Sequence, residues 1–142
     1  MNELIQIPAV PTREQIQRLE DEMRRLGVRV DIRTTHYFAE GLYAREIFIP
    51  KGCLLTGRIH RAEHLNIVSQ GVITVWTEEG MKRVAAPFTM VSRPGTKRVG
   101  LAHEDTVWTT VHATRETDIE TLELQLVEPE SLLLEEDNPC LS

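Results

Sequence analysis

Apolar residues recur along this chain with two different periods. Over residues 11–27 they follow a helical period. Ile16, Leu19, Met23 and Leu26 fall three or four apart, which sets them on one face. Thr12 and Gln15 have the spacing of a reciprocal N-terminal cap, and Gly27 is placed to close the helix. The pattern predicts an amphipathic helix over 13–26 that must lay its stripe on other apolar surface, either the body of the domain or a partner chain.

Beyond residue 28 the period shortens. Alternating or short apolar runs occupy 28–33, 43–49, 54–60, 65–69, 72–76, 82–85, 89–92 and 106–112. Turn signals separate them at Pro50-Lys51-Gly52, Glu78-Glu79-Gly80 and Pro94-Gly95. Many short strands joined by such turns predict an all-β sandwich or barrel over 28–128. Near its end Asp118 can cap a helical turn through Leu122, and 124–127 reads as a strand. Residues 129–142 form an acidic tail carrying the apolar triplet Leu132, Leu133 and Leu134.

Composition adds limits. The 142 residues suit one domain, 1–142, with enough chain to bury a core. The net charge of −6 argues against a nucleic-acid groove. Bases do cluster locally: residues 83–98 hold four and no acid. No stretch has the length of a membrane span or the form of a signal peptide, and a cytoplasmic location is expected. Two cysteines, Cys53 and Cys140, are expected to be free thiols. The helix stripe and the leucine triplet both ask for cover, so a homo-oligomer is expected, most simply a dimer.

Chemistry concentrates between residues 57 and 113. Residues 57–75, reading GRIHRAEHLNIVSQGVITV, resemble the first conserved motif of the cupin superfamily, and 86–98, ending PGTKR, resemble the second. The resemblance implies a mostly β, antiparallel jelly-roll barrel with its binding end inside. Within cupins, the Pro94–Arg98 turn and the run from Glu104 to Trp108 and on to His112 are similar to small single-domain proteins of tailed bacteriophages. For those, the implied roles are virion component or binder of a host factor.

The motif places four metal-ligand positions. Gly71 sets His64 where the family has Glu, and His60 falls on the second His of its pair. Arg58 and Arg98 fall on the other two His positions. Arginine stays protonated and cannot ligate a metal. Two readings follow. Arg58, His60, His64, Arg98 and His112 line one cavity that binds a small anionic molecule without catalysis, so that no residue is assigned as catalytic. Alternatively His60, His64 and His112 hold a transition metal in a dioxygenase- or isomerase-type enzyme, with Glu63 the nearest carboxylate. The incomplete ligand set favours the first, without a metal cofactor. His103 reads as a turn residue. For Arg58 and Arg98 the structural alternative is pairing with Glu46 or Glu63. Trp76 and Trp108 read as core residues near the barrel mouth.

Overall fold

The computed structural model describes residues 7–26 and 32–128. Gly27, residues 28–31, Cys140 and the leucine triplet lie outside the described residues. Helix α1 spans Arg13–Leu26, and Thr12 and Gln15 cap it reciprocally, at 3.1 and 2.8 Å. Nine strands follow: β1 (Arg33–Ala39), β2 (Leu42–Ile49), β3 (Leu54–Thr56), β4 (His64–Gln70), β5 (Val72–Thr77), β6 (Gly80–Ala85), β7 (Phe88–Ser92), β8 (Val99–Ala102) and β9 (Thr106–Ala113). A second helix, α2 (Ile119–Leu126), ends the described chain. Among the described residues no helix is long and apolar enough to cross a membrane.

The strands form two antiparallel sheets, β1-β2-β9-β4-β7 and β3-β8-β5-β6. Between them lies a core built around Ile49, Leu55, Val68, Ile73, Val75, Val84 and Trp108. In the four-stranded sheet, β3, β5 and β8 are buried on both faces, while β6 is largely exposed. The inner face of this sheet joins that core, while Leu54, Trp76 and Val99 turn outward against Ile16 and Met23 of α1. Leu19 and Leu26 pack at the edge of this contact, so all four residues of the stripe are in use. The helix is therefore covered by its own chain, and Trp76 lies beneath it rather than at the mouth. By contrast, Tyr37, Leu42, Leu65 and Val91 of the five-stranded sheet remain exposed.

Several expectations are corrected. β3 stops at Thr56, so Arg58 and His60 stand on a loop instead of one strand face. The expected strand over 124–127 is helix: Asp118 accepts from the Thr121 N–H at 3.0 Å, and α2 runs on to Leu126. Once the cap is set, the chain continues as helix and Leu122 and Leu126, four residues apart, share one helix face. Cys53 is buried but disulfide-bonded rather than a free thiol. Distance in sequence says nothing about distance in the fold, and one argument for a reducing compartment goes with it.

Candidate functional site

Period-two alternation builds the site. On β2, Tyr43, Arg45, Ile47 and Ile49 share the inward face. In register across the sheet, Tyr43 stands opposite His112, Arg45 opposite Thr110 and Ile47 opposite Trp108. On β4, His64 stands opposite Ser92 and Asn66 opposite both Thr110 and Met90. Rows of inward residues thus change from apolar at the Ile47–Trp108 level to polar at the Tyr43–His112 level. The polar end opens into a cavity of about 130 Å³.

The loop after β3 carries Arg58 and His60 to this cavity. It is held by α2: the Arg61 N–H donates to Leu126 O at 2.8 Å, the Glu128 N–H to Ile59 O at 2.9 Å, and His60 bridges Val127. Leu122, Glu123, Leu126 and Val127 close the cavity wall from that side.

The four residues on motif positions, Arg58, His60, His64 and Arg98, line this one cavity together with His112. Three of them form a cluster. The ligand-type nitrogens of His60, His64 and His112 lie within 4.8 Å of one another. His60 Nδ1 is 3.0 Å from His112 Nε2, and the ring centroids are 4.3–4.9 Å apart. His64 Nδ1 is 2.9 Å from Ala62 O, so Nδ1 carries the proton and donates it. Nε2 is left with its lone pair.

Other candidates fall elsewhere. Glu63 is exposed and is not part of the cluster, so it supplies no carboxylate there. Its neighbour His64 points inward, and adjacent residues at a strand start face opposite ways. His103 hydrogen-bonds Thr74 at 2.7 Å, away from the cluster. Arg58 faces Glu123, with 3.9 Å between Nη1 and Oε1, rather than Glu46 or Glu63. Arg98 donates to Ser92 Oγ and lies 5.9 Å over the Trp108 ring. Asn66 Oδ1 accepts from Trp108 Nε1 at 2.9 Å, which ties that indole into the wall.

Sequence reasoning missed Arg45, Tyr43 and Glu123. A signal for Arg45 was present, since it breaks the apolar inward face of Tyr43, Ile47 and Ile49. Nothing local marks Glu123.

The cavity disfavours positive charge on its histidines. Burial, then His64, holds His112 down at about 4. His60 is pushed further below the ordinary imidazole range, by burial first and then by His64, His112, Arg45 and Arg58. His64 is lowered as well, chiefly by burial and against its bond to Ala62. All three are neutral near pH 7, the protonation state a metal ligand needs.

The sign for stability follows. Below about 6.5 the unfolded chain takes up protons that the folded imidazoles resist, His112 until about pH 4. Stability is complete above the unfolded value and falls as pH drops through that window. Melting temperature is expected to be clearly lower at pH 5 than at pH 8. A Tm that stays level between those values would contradict burial of neutral imidazoles.

No protein-family model and no curated protein matches the chain. Solved structures do. An RmlC-like cupin from Shewanella frigidimarina is 18% identical, with a TM-score of 0.52 over 60% of this chain and 78% of that one. KdgF from Halomonas sp. is 19% identical, with a TM-score of 0.52 over 60% of this chain and 82% of the other. Ectoine synthase from P. lautus is 11% identical, with a TM-score of 0.56 over 71% of this chain and 79% of its own. At such identities the likeness is one of architecture, and the chain has the cupin fold, with a buried cluster of three histidines inside it.

Proposed function

We propose that the protein is a metal-dependent cupin that holds one divalent transition-metal ion on His60, His64 and His112 and binds a small molecule beside it. The single observation behind this is the set of three buried imidazoles whose nitrogens converge within 4.8 Å. The donor set fits such an ion. Three neutral imidazoles suit zinc, iron, nickel or copper and leave coordination positions open. The 3.0 Å between His60 Nδ1 and His112 Nε2 is short enough for both nitrogens to reach one ion. The bond from His64 to Ala62 fixes a tautomer, as second partners of metal-bound histidines do. When bound, the ion supplies Lewis-acid or redox chemistry. The chain's own residues orient the ligand and exclude water.

The test is metal analysis of full-length protein purified without added metal. About one ion per chain is expected, lost on dialysis against a chelator with a fall in Tm. His60→Ala is expected to lower occupancy at least about tenfold, while His103→Ala leaves it unchanged. Protein that holds no ion, and whose Tm does not respond to added zinc, iron(II), nickel or copper, would overturn the reading.

A second reading is a non-catalytic binding protein. Its support is that two of the four ligand positions of the cupin motif are Arg58 and Arg98. An N–H···N bond between His60 and His112 also has a length near 3.0 Å. In that case the likeness of residues 94–98 and 104–112 to phage proteins supports a role in a virion or on a host factor. The same metal analysis separates the two.

A further inference from the structure

The two sheets differ on their outer faces. Helix α1 packs on the outside of the four-stranded sheet, against Leu54, Trp76 and Val99. The outer face of the five-stranded sheet is apolar yet open to solvent: Tyr37, Leu42, Leu65 and Val91 on it are 42–58% exposed. These residues are not scattered. Register sets Tyr37 beside Ala44, Ala44 beside Val111, Val111 beside Leu65 and Leu65 beside Val91. One apolar row therefore crosses all five strands, in the order β1-β2-β9-β4-β7. Ala39, Leu42 and Ala113 form a second row beside it, and Phe48 pairs with Val107 further along. Alternation brings only two charged residues of these strands, Arg33 and Glu46, to this face. A continuous exposed apolar patch so short of charge marks an interaction surface.

We propose that this face is a homodimer interface, in which two copies of the chain stack their five-stranded sheets face to face about a two-fold axis along β9. Five strands about 4.8 Å apart, paired over about 20 Å of their length, give a footprint of about 500 Å² per copy. Two copies then cover about 1,000 Å², which reaches the size of a specific interface. The side chains in the row also fit a second copy. β9 is the central strand, so an axis along it lays Val111 on Val111 of the partner subunit. It lays Tyr37 on Val91 of the partner subunit, and the small Ala44 on Leu65 of the partner subunit. Large side chains thus meet small ones on both sides of the axis, as a close-packed interface needs. The inference is independent of the metal reading, because these residues face away from the cavity.

The experiment is sedimentation equilibrium of the full-length protein at micromolar concentrations, with near-ultraviolet circular dichroism to confirm folding. The mass of two chains is expected. Leu65→Lys and Val91→Lys each set a charge in the apolar row and are expected to weaken association at least about tenfold while the chain stays folded. Val91 lies on an edge strand and is the more exposed, so its variant serves if Leu65→Lys does not fold. Ala44→Trp fills the space that Leu65 of the partner subunit enters and is expected to weaken association as well. Met81→Lys charges an equally exposed apolar position on β6, outside the face, and is expected to keep the two-chain mass. The combined change Leu132→Asp, Leu133→Asp and Leu134→Asp is expected to keep it too. A single-chain mass for the unaltered protein overturns the inference, whether the leucine triplet or another protein then covers the face. So does a two-chain mass in both lysine variants, or dissociation by Met81→Lys or by the triple aspartate variant. An undiminished dimer in Ala44→Trp overturns the axis.

Discussion

Glu20→Ala is expected to destabilise the protein by about 3–5 kcal/mol, as is Lys97→Ala, because each leaves one buried charge without its partner. Glu20 sits in the middle of α1, on the face that docks, between Ile16 and Met23. Its carboxylate meets the Lys97 ammonium from the loop between β7 and β8, with the two side chains only 2% and 3% exposed. Lys97 also donates to Gly57 O at 2.9 Å, so the pair ties the helix to the loop that leads to Arg58 and His60. Burial dominates the environment of Lys97 and lowers its pKa, against the pull of Glu20. The pair is therefore costly to assemble and costlier to split. Replacing both residues together, Glu20→Leu with Lys97→Met, is expected to recover most of the loss. Urea unfolding of the two single variants and the double variant measures this as a mutant cycle. Single variants that lose less than about 1 kcal/mol would mean that the pair is open to water.

Gly71→Ala is expected to cost about 2–5 kcal/mol, combining backbone strain with a steric clash. Gly71 turns the chain from β4 into β5 at φ +94°. A Cβ there would meet Asp105 O at 2.4 Å, Thr106 Oγ1 at 2.5 Å and Thr106 Cα at 2.8 Å. Two of those three atoms are backbone, so no rotamer change relieves the contact. Gly41→Ala is the control. Its φ is +75° with nothing within 4 Å of an added Cβ, so it is expected to cost only about 1–2 kcal/mol of strain. Equal losses for the two variants in chemical denaturation would show that the approach of the β8–β9 loop carries no weight.

Gly71 shows how a motif and its reason come apart. Its spacing from His64 is legible in sequence, whereas the reason for a glycine is a segment more than thirty residues away. The same holds elsewhere. Residues 13–26 read as a helix with a docking stripe, and the stripe packs as read. Glu20 lies on that stripe too, but as a carboxylate it reads as solvated until Lys97 is placed beside it. β8 went unread because Val99–Ala102 is too short to show a period, and β1 because its apolar residues cluster at 37–39. The helix α2 was half legible, through its Asp118 cap.

The chain by itself determined the things that depend on neighbours a few residues apart. These are the capped helix, several of the short strand runs, and the turns at Gly52, Gly80 and Gly95. It also placed Arg58, His60, His64, Arg98 and His112 on motif positions or on the strand that follows them. Only the tertiary structure decided which faces meet. His60 and His112 are 52 positions apart and reach 3.0 Å through a loop held by α2. Arg45 enters the cavity because β2 pairs with β9 in a register that sets it opposite Thr110. Glu123 reaches Arg58 because a helix, not a strand, follows Asp118. A period specifies the face of an element within a few residues. The partner of that face is chosen by long-range register and by burial against distant segments, and no local pattern encodes it.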